Sequence, residues 1–205
     1  QGDTDTMAVN LWVTLPTAGR DTLQAALANT GVAADHTVIV TTAKGVKVSR
    51  DYHVVAERGP NNIHRWWNRG IAYAEANGAT HVAVINDDTL LHPMSLRALC
   101  DLLVLNEATI ASPGAAAAHV TDPNLPGRVL NGACWVLDLA SGLRPDESYR
   151  WWYGDDDLDL RARRDHNGVL TYPVPFVNLH HTETTYASPA LQALARADAE
   201  RWRTR

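Results

Sequence analysis

Short apolar runs alternate with amphipathic stretches through the first hundred residues, and this alternation restricts the possible folds more than any other feature. Residues 8–14 (AVNLWVT), 36–42 (HTVIVTT), 51–56 and 80–85 (THVAVI) have the length and β-branched content of buried strands. Helix-like segments separate them. Asp21 or Thr22 can cap a helix to about residue 33, with Leu23, Ala26 and Leu27 on one face. Asn61 or Asn62 opens a second helix that stops at Asn77-Gly78. A third runs from Pro93 to Asn106 with a stripe of Leu96, Leu99, Leu102 and Leu103. The order β-α-β-β-α-β-α predicts a mostly parallel, Rossmann-like sheet with helices on both faces. Residues 15–20, carrying Pro16 and Gly19, read as a loop after the first strand.

The second half is less regular. Residues 109–112 and 116–120 are short strand candidates around Pro113-Gly114, and 122–128 is a loop rich in Pro, Asn and Gly. Residues 129–138 (VLNGACWVLD) read as a buried strand, a helix runs from Gly154 to about Asp165, and 168–172 and 175–179 are late strands. A helix over 188–203 ends the chain. No repeat or long linker divides the 205 residues, which suit one core. Gln1-Gly2 reads as the remnant of a cleaved tag, so residues 1–6 are set aside and 7–205 are expected to form a single α/β domain.

Composition narrows the partners. A net charge of -5 lacks the basic footprint of a nucleic-acid binder. No apolar run approaches the roughly 20 residues of a membrane-spanning helix. Cys100 and Cys134 stand outside any CxxC pair and read as buried thiols of a cytoplasmic protein.

Three clusters carry possible chemistry. Asn86-Asp87-Asp88 ends the strand 80–85, and ligands gather at the carboxyl ends of strands in open α/β sheets. Its carboxylates suit a hard divalent cation, or else the triplet is an Asx-type turn that caps the helix near Pro93. Asp155, Asp156, Asp157 and Asp159 crowd a helix start behind Trp151, Trp152 and Tyr153. A carboxylate held among aromatics and other carboxylates has a raised pKa, which suits a general base, whereas a solvated acidic helix start is the plain alternative. His180-His181 follows the strand 175–179, where an imidazole could ligate a metal or simply face solvent.

The order of these motifs resembles the family 2 glycosyltransferases, inverting enzymes of the GT-A fold. Pro16-Thr17-Ala18-Gly19-Arg20 comes first, then Asn68-Arg69-Gly70-Ile71-Ala72, then Asn86-Asp87-Asp88, Asn131-Gly132-Ala133, the DDDLDLR run from Asp155, and His180; together they span roughly residues 8–182. The resemblance implies that Pro16, Thr17 and Arg20 line the nucleotide and that Asn68 and Arg69 contact its base or diphosphate side. It makes Asn86-Asp87-Asp88 the family's DXD turn, with Asp88 and His180 as ligands of Mn²⁺ or Mg²⁺. Asn131 and Gly132 would flank the sugar, and Trp151 and Trp152 would stack on donor or acceptor sugars. Asp155 matches the catalytic base, with its neighbour Asp156 the second choice. The implied reaction moves a hexosyl or deoxyhexosyl group from a nucleotide-diphosphate sugar to the hydroxyl of a saccharide, lipid or protein acceptor.

Two departures from the family pattern are visible. The second strand ends Val40-Thr41-Thr42-Ala43 in place of an acidic base-binding end, which leaves Thr42 to bond the nucleobase. The DXD turn opens with Asn86, which carries no charge. Two other readings stand beside this one: a non-catalytic nucleotide- or sugar-binding module, and a sugar-phosphate nucleotidyltransferase, for which Pro16–Arg20 is a poor glycine-rich loop. Arg161, Arg163 and Arg164 are candidates for phosphate contacts or plain helix-surface residues.

Overall fold

The computed structural model describes residues 8–179, 183–186 and 188–205. The elements in chain order are β1 Leu11–Thr17, α1 Leu23–Ala28, β2 Thr37–Thr41, β3 His53–Ala56, α2 Ile63–Ala76, β4 His81–Ile85, β5 Thr89–Leu91, α3 Ser95–Leu105, β6 Ile110–Pro113 and β7 Ala118–Val120. There follow β8 Cys134–Asp138, α4 Gly154–Asp165, β9 Val169–Tyr172, β10 Phe176–Asn178, α5 Glu183–Tyr186 and α6 Pro189–Arg203.

Eight strands form one sheet in the order β3-β2-β1-β4-β8-β6-β9-β7, while β10 pairs antiparallel with β5 in a two-stranded sheet of its own. The β1–β2, β1–β4, β2–β3 and β6–β9 pairs are parallel; β4–β8, β6–β8 and β7–β9 are antiparallel. The expected mostly parallel α/β layout is therefore the one observed.

Side-chain alternation assigns the helices to the two faces. Val13 and Leu15 of β1, Ile39 of β2, Ala83 and Ile85 of β4, and Val136 of β8 pack with Leu23 and Leu27 of α1 and Leu96, Leu99 and Leu103 of α3. Their neighbours Trp12, Val38, Val40, Val82, Val84 and Trp135 face the other way, onto Trp66, Trp67 and Ile71 of α2 and Leu158 and Ala162 of α4. Asn62 caps α2, its side chain accepting the N–H of Arg65 at 3.0 Å.

Several local expectations change. β1 runs through Pro16 and Thr17 instead of ending in a loop at residue 15. Pro16 lies past the last β1–β4 pair, at Thr14, a place where a strand tolerates a residue with no N–H. The helix α1 stops at Ala28, well short of residue 33. Residues 129–133 lie outside β8, which begins at Cys134. Among the described residues, no helix is long and apolar enough to cross a membrane.

Candidate active site

The parallel pairing of β1 and β4 brings their carboxyl ends together. There the Thr17 hydroxyl donates to Asp87 Oδ2 at 2.6 Å and accepts the N–H of Gly19 at 2.9 Å. The chain turns at once, Thr89 N–H bonding the Asn86 carbonyl at 3.1 Å, and Asn86 N–H donates to the Ala133 carbonyl at 3.0 Å. The capping alternative for this triplet fails: β5 intervenes before α3, and the N-cap of α3 is Met94 with no side-chain bond. Asp87 and Asp88 are buried instead against the base of a cavity. Burial pushes the Asp87 carboxyl above its usual range, opposed by the Thr17 hydroxyl and the charge of Arg20. Asp88 Oδ2 pairs with Arg20, whose guanidinium also lies 3.7 Å from Asp87 Oδ1.

Asp88 Oδ1 has no hydrogen-bond partner although it is buried. A buried carboxylate oxygen with no hydrogen-bond partner is a fitting ligand for a hard cation. Among the described residues no cluster of three or more metal-ligating side chains exists. A cation at Asp88 would therefore take its remaining ligands from substrate oxygens and water, as Mg²⁺ commonly does. The other expected ligand, His180, lies outside the described residues.

The opposite wall is the start of α4. Residues 150–152 are drawn into a tight turn by Asp198 of α6, a buried carboxylate that accepts the N–H groups of Arg150, Trp151 and Trp152 at 2.6–3.1 Å. Tyr153 then adopts a left-handed conformation, φ 64°, and α4 begins. The four carboxylates behind it separate. Asp157 pairs with Arg161 at 2.6 Å, and Asp159 is fully buried against Arg163 at 2.6 Å. Only Asp155 and Asp156 reach the cavity, where both pair with Arg128. Burial, and next the charge of Asp155, push the Asp156 carboxyl up to about 6, while Arg128 pulls it down. Asp155 Oδ2 also lies directly against Gly132, where a Cβ would collide with it.

The cavity between the two walls has a volume of about 470 Å³. Pro16, Thr17, Arg20, Asn86, Asp87 and Asp88 line one side. Asn131, Gly132, Trp151, Trp152, Asp155 and Asp156 line the other, so twelve of the expected residues share one space. Trp151 is held by its indole N–H, which donates to Thr185 Oγ1 at 2.9 Å.

Other expected residues lie elsewhere. Thr42 lines no part of the cavity, and its N–H donates to the Thr17 carbonyl at 3.4 Å. Asn68 donates to the Pro145 carbonyl at 2.9 Å and Glu147 Oε1 at 3.0 Å, tying α2 to the 145–147 loop, and Arg69 pairs with buried Glu57 at 3.2 Å. Gly70 in the same motif lets α2 press against Thr14 of β1. The motif's contribution here is therefore packing. Arg161 and Arg163 are spent on Asp157 and Asp159, and Arg164 pairs with Asp165 at 2.6 Å; none lines the cavity.

Arg128 and His64 line the cavity without having been marked by any signal in the sequence. Arg128 sits in the 122–128 loop, whose composition announces only a turn. His64 lies on α2, 1% exposed, its Nδ1–H donating to the Tyr149 carbonyl at 2.8 Å. A carbonyl can only accept, so Nδ1 carries the proton and Nε2 is left as an acceptor. Burial lowers the His64 pKa, against the Tyr149 carbonyl and the charge of Asp155.

No protein-family model and no curated protein sequence matches the chain. Solved structures do match. Residues 1–349 of S. aureus TarS superpose with a TM-score of 0.62 at 10% identity, over 80% of this chain and 58% of that one. The TarS complex with UDP gives 0.62 at 11% identity, over 80% and 57%. Its complex with UDP-GlcNAc gives 0.58 at 13% identity, over 80% and 56%. The chain thus spans a little over half the length of these structures. At such identities the likeness establishes the fold, and that fold is the GT-A arrangement of the central sheet and its flanking helices.

Proposed function

We propose that this chain is an inverting, metal-dependent glycosyltransferase of the family 2 type, with the cavity between β4 and α4 as its donor and reaction site. The observation that carries the proposal is that two acidic pairs line one cavity: Asp87-Asp88 at a strand tip, with a buried unpaired oxygen, and Asp155-Asp156 at a helix start. The UDP and UDP-GlcNAc complexes of TarS support a nucleotide-sugar as the occupant.

Asp88 would hold Mn²⁺ or Mg²⁺ together with the donor diphosphate. When bound, such an ion neutralises charge on a departing diphosphate. Thr17 fixes Asp87 and so the turn that aims Asp88. Asp155, pressed against Gly132, would stand beside the sugar and take the proton of the acceptor hydroxyl. That oxygen bonds to the anomeric carbon as the carbon–oxygen bond to the diphosphate breaks, and the bonding pair leaves with the diphosphate. Attack from the opposite face inverts the anomeric centre. Asp156, with its carboxyl raised to about 6, is the alternative base.

The test is a panel of nucleotide-sugars with Mn²⁺, read as free nucleotide diphosphate, with UDP-sugars first. Release that depends on an added acceptor and on Asp155 supports transfer. Binding without release in every case would make the chain a nucleotide-sugar-binding module instead.

A further inference from the structure

Resting on the reading of the cavity as a nucleotide-sugar site, we infer that Arg128 is a further catalytic residue: it leaves Asp155 and Asp156 for the donor diphosphate, so that the donor's arrival frees the base. The loop that carries it is fixed on both sides of this residue by one buried ion pair. Arg163 donates to the Gly127 carbonyl at 3.1 Å, as well as to the carbonyls of Asp122 and Leu125. Asp159 Oδ1 accepts the N–H groups of Val129 at 3.1 Å and Leu130 at 2.9 Å. Residue 127 and residue 129 are thus both held to α4, by side chains about two turns and one turn beyond Asp155 respectively. The backbone is anchored and only the Arg128 side chain, 34% exposed, is free to re-aim.

The charges lining the cavity supply the reason to move. Four carboxylates, Asp87, Asp88, Asp155 and Asp156, face two arginines, Arg20 and Arg128. A diphosphate entering this space meets a carboxylate excess and binds where a guanidinium can turn to it. Arg20 is engaged at the strand tip by Asp88 and Asp87. Arg128 pairs with two carboxylates, and a guanidinium matches two phosphate oxygens as well as it does two carboxylates. Once it has moved, Asp155 loses its counter-ion and can accept the acceptor's proton, while the guanidinium neutralises charge on the leaving group.

Calorimetric titration of UDP, GDP, dTDP and CDP with saturating Mn²⁺ tests this on four proteins: wild type, Arg128→Gln, Asp156→Asn and the double variant. The tightest-binding diphosphate should bind Arg128→Gln about tenfold or more weakly, with the parent nucleoside unaffected. Asp156→Asn should bind it more tightly than wild type, because Arg128 is then held less firmly. That gain should vanish in the Arg128→Gln background, a non-additivity that simple repulsion by Asp156 does not produce. A diphosphate affinity in Arg128→Gln within twofold of wild type overturns the inference, as does an equal gain from Asp156→Asn in both backgrounds. If no diphosphate binds wild type, the donor reading falls and this inference with it. Should Arg128→Gln lose its cooperative melting, Arg128→Lys replaces it, with a smaller loss of affinity expected and the same non-additivity required.

Discussion

The two acidic poles of the cavity use the same parts, adjacent aspartates and an arginine, yet they are built differently. At the strand tip, Asp87 and Asp88 are 7% and 5% exposed, the sheet fixes their backbone, and the Thr17 hydroxyl locks one carboxylate. At the helix start, the Asp155 and Asp156 side chains are 15% and 28% exposed, and their partner Arg128 comes from a surface loop. The strand pole suits holding a charge in one place. The helix pole suits a group whose proton and counter-ion change during a reaction.

The largest effect should separate these roles. Asp155→Asn is expected to lower transfer by about 10²–10⁴-fold, the usual contribution of a general base, while the nucleotide diphosphate binds no more weakly than to wild type. Acceptor-dependent diphosphate release, beside calorimetry on the same sample, checks both parts. A comparable loss of transfer from Asp157→Asn would break the distinction, because Asp157 faces Arg161 and not the cavity.

Within the helix pole, the buried acid should matter most to stability. Asp159→Ala leaves Arg163 unpaired in the interior and should cost about 3–5 kcal/mol in urea unfolding. Asp157→Ala, which breaks an ion pair within one helix turn, should cost about 1 kcal/mol or less.

Gly132→Ala sharpens the placement of Asp155. The added methyl collides first with the Oδ2 tip of that side chain, so the carboxylate is the group that must give way. Transfer should fall by about tenfold to a hundredfold with the melting temperature nearly unchanged, since about 1 Å of misplacement can cost that much.

The smallest effect is in pH dependence. Asp156 has its pKa raised from 3.8 to about 6 in the folded protein, so the folded state holds its proton more tightly than the unfolded state does. The stability it contributes is present below about pH 4 and lost as pH rises through 6. That trend near pH 6 should disappear in Asp156→Asn, as followed by urea midpoints across pH 4.5–8.

The strand pole was the more legible in sequence. THVAVI followed by Asn86-Asp87-Asp88 marks a strand end with carboxylates, and β4 pairs in parallel with β1. Its surprise was Pro16, which the strand absorbs where pairing with β4 has ended. The helix pole showed its acids but not their fates. Whether an aspartate on α4 faces the cavity, Arg161 or the interior depends on the 122–130 loop and on Asp198, which is distant in sequence and whose contacts leave no local pattern. The same holds for His64, whose role comes from the Tyr149 carbonyl 85 residues away. Thr42, Asn68 and Arg69 lie off the cavity, and Asn68 and Arg69 make tethers to the 145–147 loop and to Glu57 that position in the sequence alone does not reveal.

Calorimetric titration of the best-binding nucleotide diphosphate with Mn²⁺ into Asp88→Asn and Asp155→Asn tests the division between the poles most directly. The account predicts that Asp88→Asn weakens binding at least tenfold and abolishes its dependence on Mn²⁺, while Asp155→Asn, which also releases Arg128, binds at least as tightly as wild type does. Equal affinity in Asp88→Asn and wild type, with unchanged metal dependence, would contradict it.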